Sequence, residues 1–313
     1  MTASELIRRA IPQGAQVNRW TAPDGWELRA FAWPAATATP RGSILFEGGR
    51  GDIFEKYLEV FAHWHDQGWT ITSFDWRGQG GSGRLTQAGN CGHIDDFGRF
   101  VGDLRDFYAE WAVATPGPHV VMAHSMGGHI VLRAMIEGAV TPDAAVLIAP
   151  MLGVKSPLGM GERLARLMGG VGDSSRPAWK GNEKPYTTET RHSLLTHDAE
   201  RYADEIWWQA RNPENVTGPP SWRWLIEAFK SMREMRNSPR LKTMKVPTLM
   251  LVAEADGLVD PKAALAIGPK LPEARVVRFG KESAHEILRE ADKVRNRAIG
   301  EIDLFLAARA QRR

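Results

Sequence analysis

The stretch Val120-Val121-Met122-Ala123-His124-Ser125-Met126-Gly127-Gly128-His129-Ile130-Val131-Leu132-Arg133-Ala134 decides how this chain is read. It opens as a short apolar run, breaks at small residues and continues with helix-like spacing. That is a strand, a tight turn with Ser125 at its tip, and a helix. In such an elbow the serine occupies a strained turn, so its hydroxyl projects above the sheet. Strand and helix pass close together there, and the positions two residues either side must be small; they are Ala123 and Gly127. Ala123 departs from Gly-x-Ser-x-Gly by a small-for-small change. An ordinary glycine-rich turn is the competing reading, and the strand-turn-helix context favours the elbow.

A serine nucleophile needs a base, and the base needs a carboxylate to orient it. With this elbow the chain order is serine, acid, histidine. The acid is expected after a later strand, and Thr248-Leu249-Met250-Leu251-Val252-Ala253-Glu254-Ala255-Asp256-Gly257 supplies it. Glu254, Asp256 and Asp260 compete there; Asp256, next to Gly257 where a strand end turns, is preferred over a mere turn cap. Of nine histidines only His285 follows it, so His285 is the expected base. The oxyanion requires two preorganised N–H donors. Met126, after the nucleophile, is one. The loop Glu47-Gly48-Gly49-Arg50-Gly51-Asp52 offers the other at the Arg50 amide. A phosphate-cradling loop is a poorer reading of that segment, which lacks a Lys-Ser/Thr ending.

Outward from the elbow, residues 43–47, 70–75, 119–123, 144–149, 248–252 and 274–279 are short apolar runs suited to strands buried on both faces of a mostly parallel sheet. Helical spacing appears at 55–67, with Tyr57, Leu58, Phe61 and Trp64, and at 95–114, with Phe97, Phe100, Val101, Leu104 and Tyr108. The alternation predicts a doubly wound α/β sheet. Residues 17–33 hold two β-like runs around Pro23-Asp24-Gly25, a hairpin turn. Residues 151–242 break the alternation, with helix-like pieces at 160–168, 199–209 and 222–235. They are expected to form an inserted helical cap on a core of residues 1–150 and 243–313, closed by a last helix at 292–308.

The 313 residues carry a formal charge of +3, with 43% hydrophobic and 25% charged side chains, as in an ordinary soluble enzyme. Basic residues are scattered, which argues against a nucleic-acid partner. The single cysteine, Cys91, excludes an intramolecular disulfide and suits a reducing compartment. The N-terminus lacks a signal-peptide pattern, so a cytoplasmic location is expected, with peripheral membrane contact open. His63 and His65, two apart on a helix, do not face each other, and no metal or cofactor is expected. Trp179, Trp207, Trp208, Trp222, Trp224, Phe229 and Met232 could line an acyl groove or dip into a lipid surface; packing inside the cap explains each of them equally well.

Four further segments complete a pattern: Phe46 to Asp52 with Glu55-Lys56-Tyr57, Asp75-Trp76-Arg77-Gly78-Gln79-Gly80-Gly81-Ser82, Gly92-His93-Ile94-Asp95-Asp96-Phe97, and Ser283-Ala284-His285-Glu286-Ile287-Leu288. With the elbow they resemble the lysophospholipase and monoacylglycerol lipase branch of the α/β-hydrolases, its bacterial lysophospholipase subgroup in particular. The resemblance covers most of the chain outside the cap. It implies the α/β-hydrolase fold and metal-free hydrolysis of a monoacyl glycerolipid ester through an acyl-enzyme. Members often carry His-Gly in the oxyanion loop, where this chain has Gly48-Gly49. A small-molecule esterase or an amidase or aminopeptidase is the alternative, and an acidic cap group such as Glu189, Asp204 or Glu205 would favour the peptidase by binding an amine. Acyl transfer to an alcohol and a non-catalytic binding role complete the set, the last disfavoured by an intact Ser, Asp and His.

Overall fold

The computed structural model describes residues 7–155, 161–180 and 191–311. Strands β1 (Gln16–Thr21) and β2 (Glu27–Trp33) form the expected antiparallel hairpin. Asp24 Oδ1 accepts the Trp26 N–H at 3.1 Å within its turn. Then follow β3 (Gly42–Glu47), α1 (Leu58–Asp66), β4 (Trp69–Phe74), α2 (Gly98–Ala114), β5 (His119–His124), α3 (Ser125–Glu137) and β6 (Ala144–Ile148). After β6 come α4 (Gly161–Gly169), α5 (Arg191–Leu195), α6 (Ala199–Arg211) and α7 (Trp222–Asn237). The chain ends with β7 (Thr248–Ala253), α8 (Pro261–Ile267), β8 (Ala274–Phe279) and α9 (Asp292–Arg309).

The eight strands form one sheet in the order β1-β2-β4-β3-β5-β6-β7-β8. The pairs from β4 to β8 are parallel, and β1 and β2 add an antiparallel edge. Both faces are covered, which is why the strands read as continuous apolar runs rather than alternating ones. Leu45, Val121, Leu147 and Met250 meet Phe100, Leu104 and Ile130 from α2 and α3 on one face. Ile44, Phe46, Val120 and Leu249 meet Phe61, Trp64, Ile299 and Ile302 from α1 and α9 on the other.

Two helices start later than their apolar spacing predicts. Residues 54–57 form a single 3₁₀ turn before α1. Asp96 turns back to accept the Gly98 N–H at 2.7 Å, so α2 begins at Gly98 rather than at Asp95. Short polar side chains capture nearby amides in this way and delay a helix.

The helices inserted between β6 and β7 reach both sides of the sheet. Trp224, Ala228, Met232 and Met235 of α7 join the core beside α3. Trp208 of α6 joins the opposite core. Among the described residues, no helix is long and apolar enough to cross a membrane.

Candidate active site

β5 ends at His124 and α3 begins at Ser125, so the chain reverses without a loop. Ser125 has φ +52°, a left-handed conformation that non-glycine residues seldom adopt. Close packing holds it there. A Cβ at Gly127 would lie 2.5 Å from the Gly48 carbonyl oxygen and 2.8 Å from that of Glu47. The loop after β3 can therefore lie against α3 only because residue 127 is glycine. The loop also reaches the serine, since a Cβ at Gly49 would stand 3.0 Å from Ser125 Cβ.

Three elements converge on this turn. His285, in the loop after β8, places Nε2 2.8 Å from Ser125 Oγ and Nδ1 2.5 Å from Asp256 Oδ2. With Nδ1–H donating to the carboxylate, Nε2 presents its lone pair to the serine hydroxyl. Asp256 is fully buried, and its Oδ1 accepts the Leu258 and Val259 N–H groups at 2.8 and 3.0 Å. The competing carboxylates do other work: Glu254 pairs with the exposed Arg278, and Asp260 caps α8 by accepting the Lys262 N–H at 3.0 Å.

Burial pulls the His285 imidazolium towards its neutral form. The charge and hydrogen bond of Asp256, with the charges of Glu286 and Asp52, outweigh that and hold its pKa above the ordinary histidine value. Such an imidazole is a stronger base towards a serine proton.

Met126 is the second residue of α3, and a first-turn amide has no acceptor within its own helix. The positive end of the α3 dipole adds to its suitability for an oxyanion. In the β3 loop the Gly49 N–H donates to Asp52 Oδ2 at 2.6 Å, and the Arg50 N–H is the next donor along. The Arg50 guanidinium is directed to the Gly218 carbonyl at 2.8 Å and lies 5.9 Å from the Trp224 ring.

The inserted segment is bound to the histidine loop through backbone. Leu195 O accepts the Glu286 N–H at 2.8 Å and Leu194 O accepts the His285 N–H at 3.4 Å. Of the aromatic residues in question, Trp208, Trp222 and Trp224 are buried, as is Met232, while Trp207 and Phe229 are partly covered against the cores. These contacts are those of packing. Asp204 is held by Arg8 at 2.5 Å and Arg9 at 2.6 Å. Glu205 is held by Lys56 at 3.1 Å, Arg191 at 2.6 Å and Arg289 at 3.3 Å. Both carboxylates are thus already paired with cations; Glu189 lies outside the described residues. His63 pairs with Asp303 at 2.8 Å, and no metal-ligand cluster occurs among the described residues.

Sequence reasoning missed a second set of buried polar groups behind Ser125, His285 and Asp256. Asp52, Lys56, Tyr57, His124, Glu205, Glu286 and Arg289 are all under a tenth exposed. Several of them lie in the segments that carried the family resemblance, but nothing in their spacing announces that they meet. Glu47 is also fully buried, and neither carboxyl oxygen finds a hydrogen-bond partner among the described residues. Burial and the nearby Asp75 push its pKa well up, towards a neutral acid.

Residues 38–292 match the family model described as serine aminopeptidase S33. The chain belongs to that family. Family membership and the sheet together make it an α/β-hydrolase. The chain is similar to lysophospholipase L2 of Escherichia coli K12, 29% identical over 82% of this chain and 78% of that one. It is also similar to the probable lysophospholipase L2 of Haemophilus influenzae, 26% identical over 85% and 84% of the two chains. Among solved structures, a soluble variant of the Saccharomyces cerevisiae monoglyceride lipase superimposes with a TM-score of 0.76 at 20% identity, covering 98% of each chain. The Paleococcus ferrophilus monoacylglycerol lipase gives 0.69 at 18% identity, covering 90% of this chain and 99% of that one. At these identities the solved structures speak to the fold alone.

Proposed function

We propose that this protein is a serine hydrolase that cleaves the carboxylic ester of monoacyl lipids, lysophospholipids or monoacylglycerols, through an acyl-enzyme. The observation that carries the chemistry is His285 bridging Ser125 and Asp256 at 2.8 and 2.5 Å on a strained turn. His285 Nε2 takes the hydroxyl proton as Ser125 Oγ attacks the ester carbonyl. Asp256 holds the imidazole tautomer and stabilises the imidazolium. The Met126 and Arg50 amides receive the oxyanion. The imidazolium returns its proton to the departing glyceryl oxygen, and water activated by His285 then releases the fatty acid.

The lysophospholipase relatives support a lipid ester, and the engagement of Asp204 and Glu205 with cations argues against an aminopeptidase. The helices between β6 and β7 act as the cap. Peripheral membrane contact is supported by α4 and the turn after it, where Leu164, Leu167, Met168 and Val171 are 41, 68, 37 and 62% exposed. Large apolar side chains grouped in this way mark an interaction surface.

The test is fatty-acid release from lysophospholipids, monoacylglycerols and short p-nitrophenyl esters by wild type and Ser125→Ala. Release from the long monoacyl lipids is expected, with a loss of at least about 1,000-fold in the variant. Turnover of short esters alone would overturn the lipid assignment and leave the nucleophile standing.

A further inference from the structure

The buried charges behind the triad form one connected body drawn from four separate parts of the chain. Lys56 Nζ, on the turn preceding α1, stands at its centre. It lies 2.5 Å from Asp52 Oδ1, 2.7 Å from Glu286 Oε1 and 3.1 Å from Glu205 Oε2, with its side chain 1% exposed. Arg289 pairs with Glu286, and with Glu205 at 3.3 Å. Three carboxylates thus surround Lys56, with Arg289 and Arg191 completing the neutralisation. Charges this deep are tolerated only when paired and hydrogen-bonded.

Each carboxylate leads to a different part of the reaction site. The second oxygen of Asp52 accepts the Gly49 N–H and the Tyr57 hydroxyl, both at 2.6 Å. Gly49 abuts Ser125 and precedes the Arg50 amide, so Asp52 fixes the peptide chain that carries an oxyanion donor. The same Asp52 oxygen lies 3.2 Å from His124 Nδ1, and Tyr57 Oη lies 2.9 Å from it. His124 directly precedes the nucleophile, and its Nε2 lies 3.3 Å from the His285 carbonyl oxygen. Glu286 is the residue after the base. Glu205 belongs to α6, in the inserted segment. An ionic core of this kind stabilises no better than apolar packing would, and its reach into the oxyanion loop, the residue behind the nucleophile and the base points to a second role.

We propose that Lys56, Asp52 and Glu286 are positioning residues that hold the oxyanion loop and the His285 loop in register, and that Glu205 makes docking of α6 a condition for that register. This rests on the assignment of Ser125, Asp256 and His285 above. The inserted segment then does more than cover the site: one of its helices supplies a counter-charge to the frame on which the site is built. Electrostatics accompany the geometry. Groups facing His285 are Asp256 from the turn after β7, Glu286 beside it, Asp52 from the β3 loop and the His124 ring, whose centroid is 4.7 Å away. Glu286 carries a negative charge there, with Arg289 and Lys56 holding its carboxyl below the usual range against the opposing effect of burial.

The experiment compares wild type with Lys56→Met, Asp52→Asn, Glu205→Gln and Glu286→Gln on a short p-nitrophenyl ester, with near-UV circular dichroism as the check on folding. Lys56→Met is expected to lower kcat and kcat/KM together by about 100-fold, the scale of losing one oxyanion donor, with KM within about threefold. Asp52→Asn keeps the side-chain shape and is decisive if Lys56→Met fails to fold; a loss of about 30-fold in kcat is expected, as is slower labelling by a fluorophosphonate. Glu205→Gln should cost about 10-fold in kcat. Removing the negative charge of Glu286 lowers the His285 pKa. The base is then neutral at lower pH, and the acidic limb of kcat/KM moves down in Glu286→Gln. A folded set of variants with kcat within threefold of wild type and an unmoved acidic limb would overturn the proposal. If wild type itself neither turns over the ester nor labels at Ser125, the failure lies with the hydrolase assignment instead.

Discussion

Two helices of the inserted segment, α4 and α6, treat their side chains in opposite ways. α4 exposes Leu164, Leu167 and Met168, and its charges meet only partly exposed partners, as where Arg166 reaches Glu162 at 2.8 Å. α6 buries Arg201, Asp204 and Glu205 and ties all three to the rest of the chain. Arg201 spans Glu59 of α1 and Asp292 of α9, each at 2.7 Å, and Asp204 receives Arg8 and Arg9. An apolar face left outside and a charged face taken inside invert the usual amphipathic arrangement. The insertion is therefore two devices. α6 is ionically part of the hydrolase core, and α4 presents apolar surface outward.

The largest expected effect lies at Glu205. In Glu205→Ala, Lys56, Arg289 and Arg191 keep their charge and lose a fully buried partner. A loss of about 3–5 kcal/mol in unfolding free energy is expected by urea titration. If the loss stays below about 1 kcal/mol, α6 is no more integral than α4.

Acid should act on α6 through the same residue. Burial raises the Glu205 pKa, but Lys56, Arg191 and Arg289 together bring it down to about 2. A carboxyl depressed on folding contributes stability that is complete above its unfolded pKa, about 4.3, and drains away as pH falls towards 2. That is a contribution of about 3 kcal/mol. Glu205→Gln should flatten the fall in stability between about pH 4.3 and 2, read as urea midpoints across that window; an unchanged slope would place the acid sensitivity elsewhere.

What the sequence made legible follows the same division. The sheet and the meeting of Ser125, His285 and Asp256 were readable because each rests on local signals: apolar runs between turns, small residues flanking Ser125, and chain order that left His285 as the one histidine after Asp256. Asp256 was separable from Glu254 and Asp260 by its place beside Gly257, and the structure puts those two on Arg278 and at the α8 cap. The ionic frame was not readable, because Lys56, Glu205 and Glu286 are about 150 and 80 residues apart in sequence and each, taken singly, is an ordinary surface residue type. The exposure of the apolar face of α4 was not readable for a related reason. A leucine at helical spacing predicts a buried stripe, whereas Leu164 and Leu167 are exposed and most of the tryptophans between β6 and β7 are buried.

The smallest expected effect on stability, and the most specific on function, lies at α4. Leu164 and Leu167 make few demands on the fold, so Leu164→Asp and Leu167→Asp should shift unfolding free energy by no more than about 0.5 kcal/mol. On a lipid surface the same changes remove buried apolar area and add repulsion from anionic headgroups. Co-sedimentation with vesicles containing phosphatidylglycerol should therefore fall about 10-fold, in step with hydrolysis of lysophospholipid presented in those vesicles. Turnover of a dissolved short ester should change little, since both side chains are exposed. Equal losses on dissolved and vesicle-borne substrate would mean that α4 acts on the site itself. Unchanged sedimentation would take the lipid surface away from α4 and leave the contrast with α6 as one of packing alone.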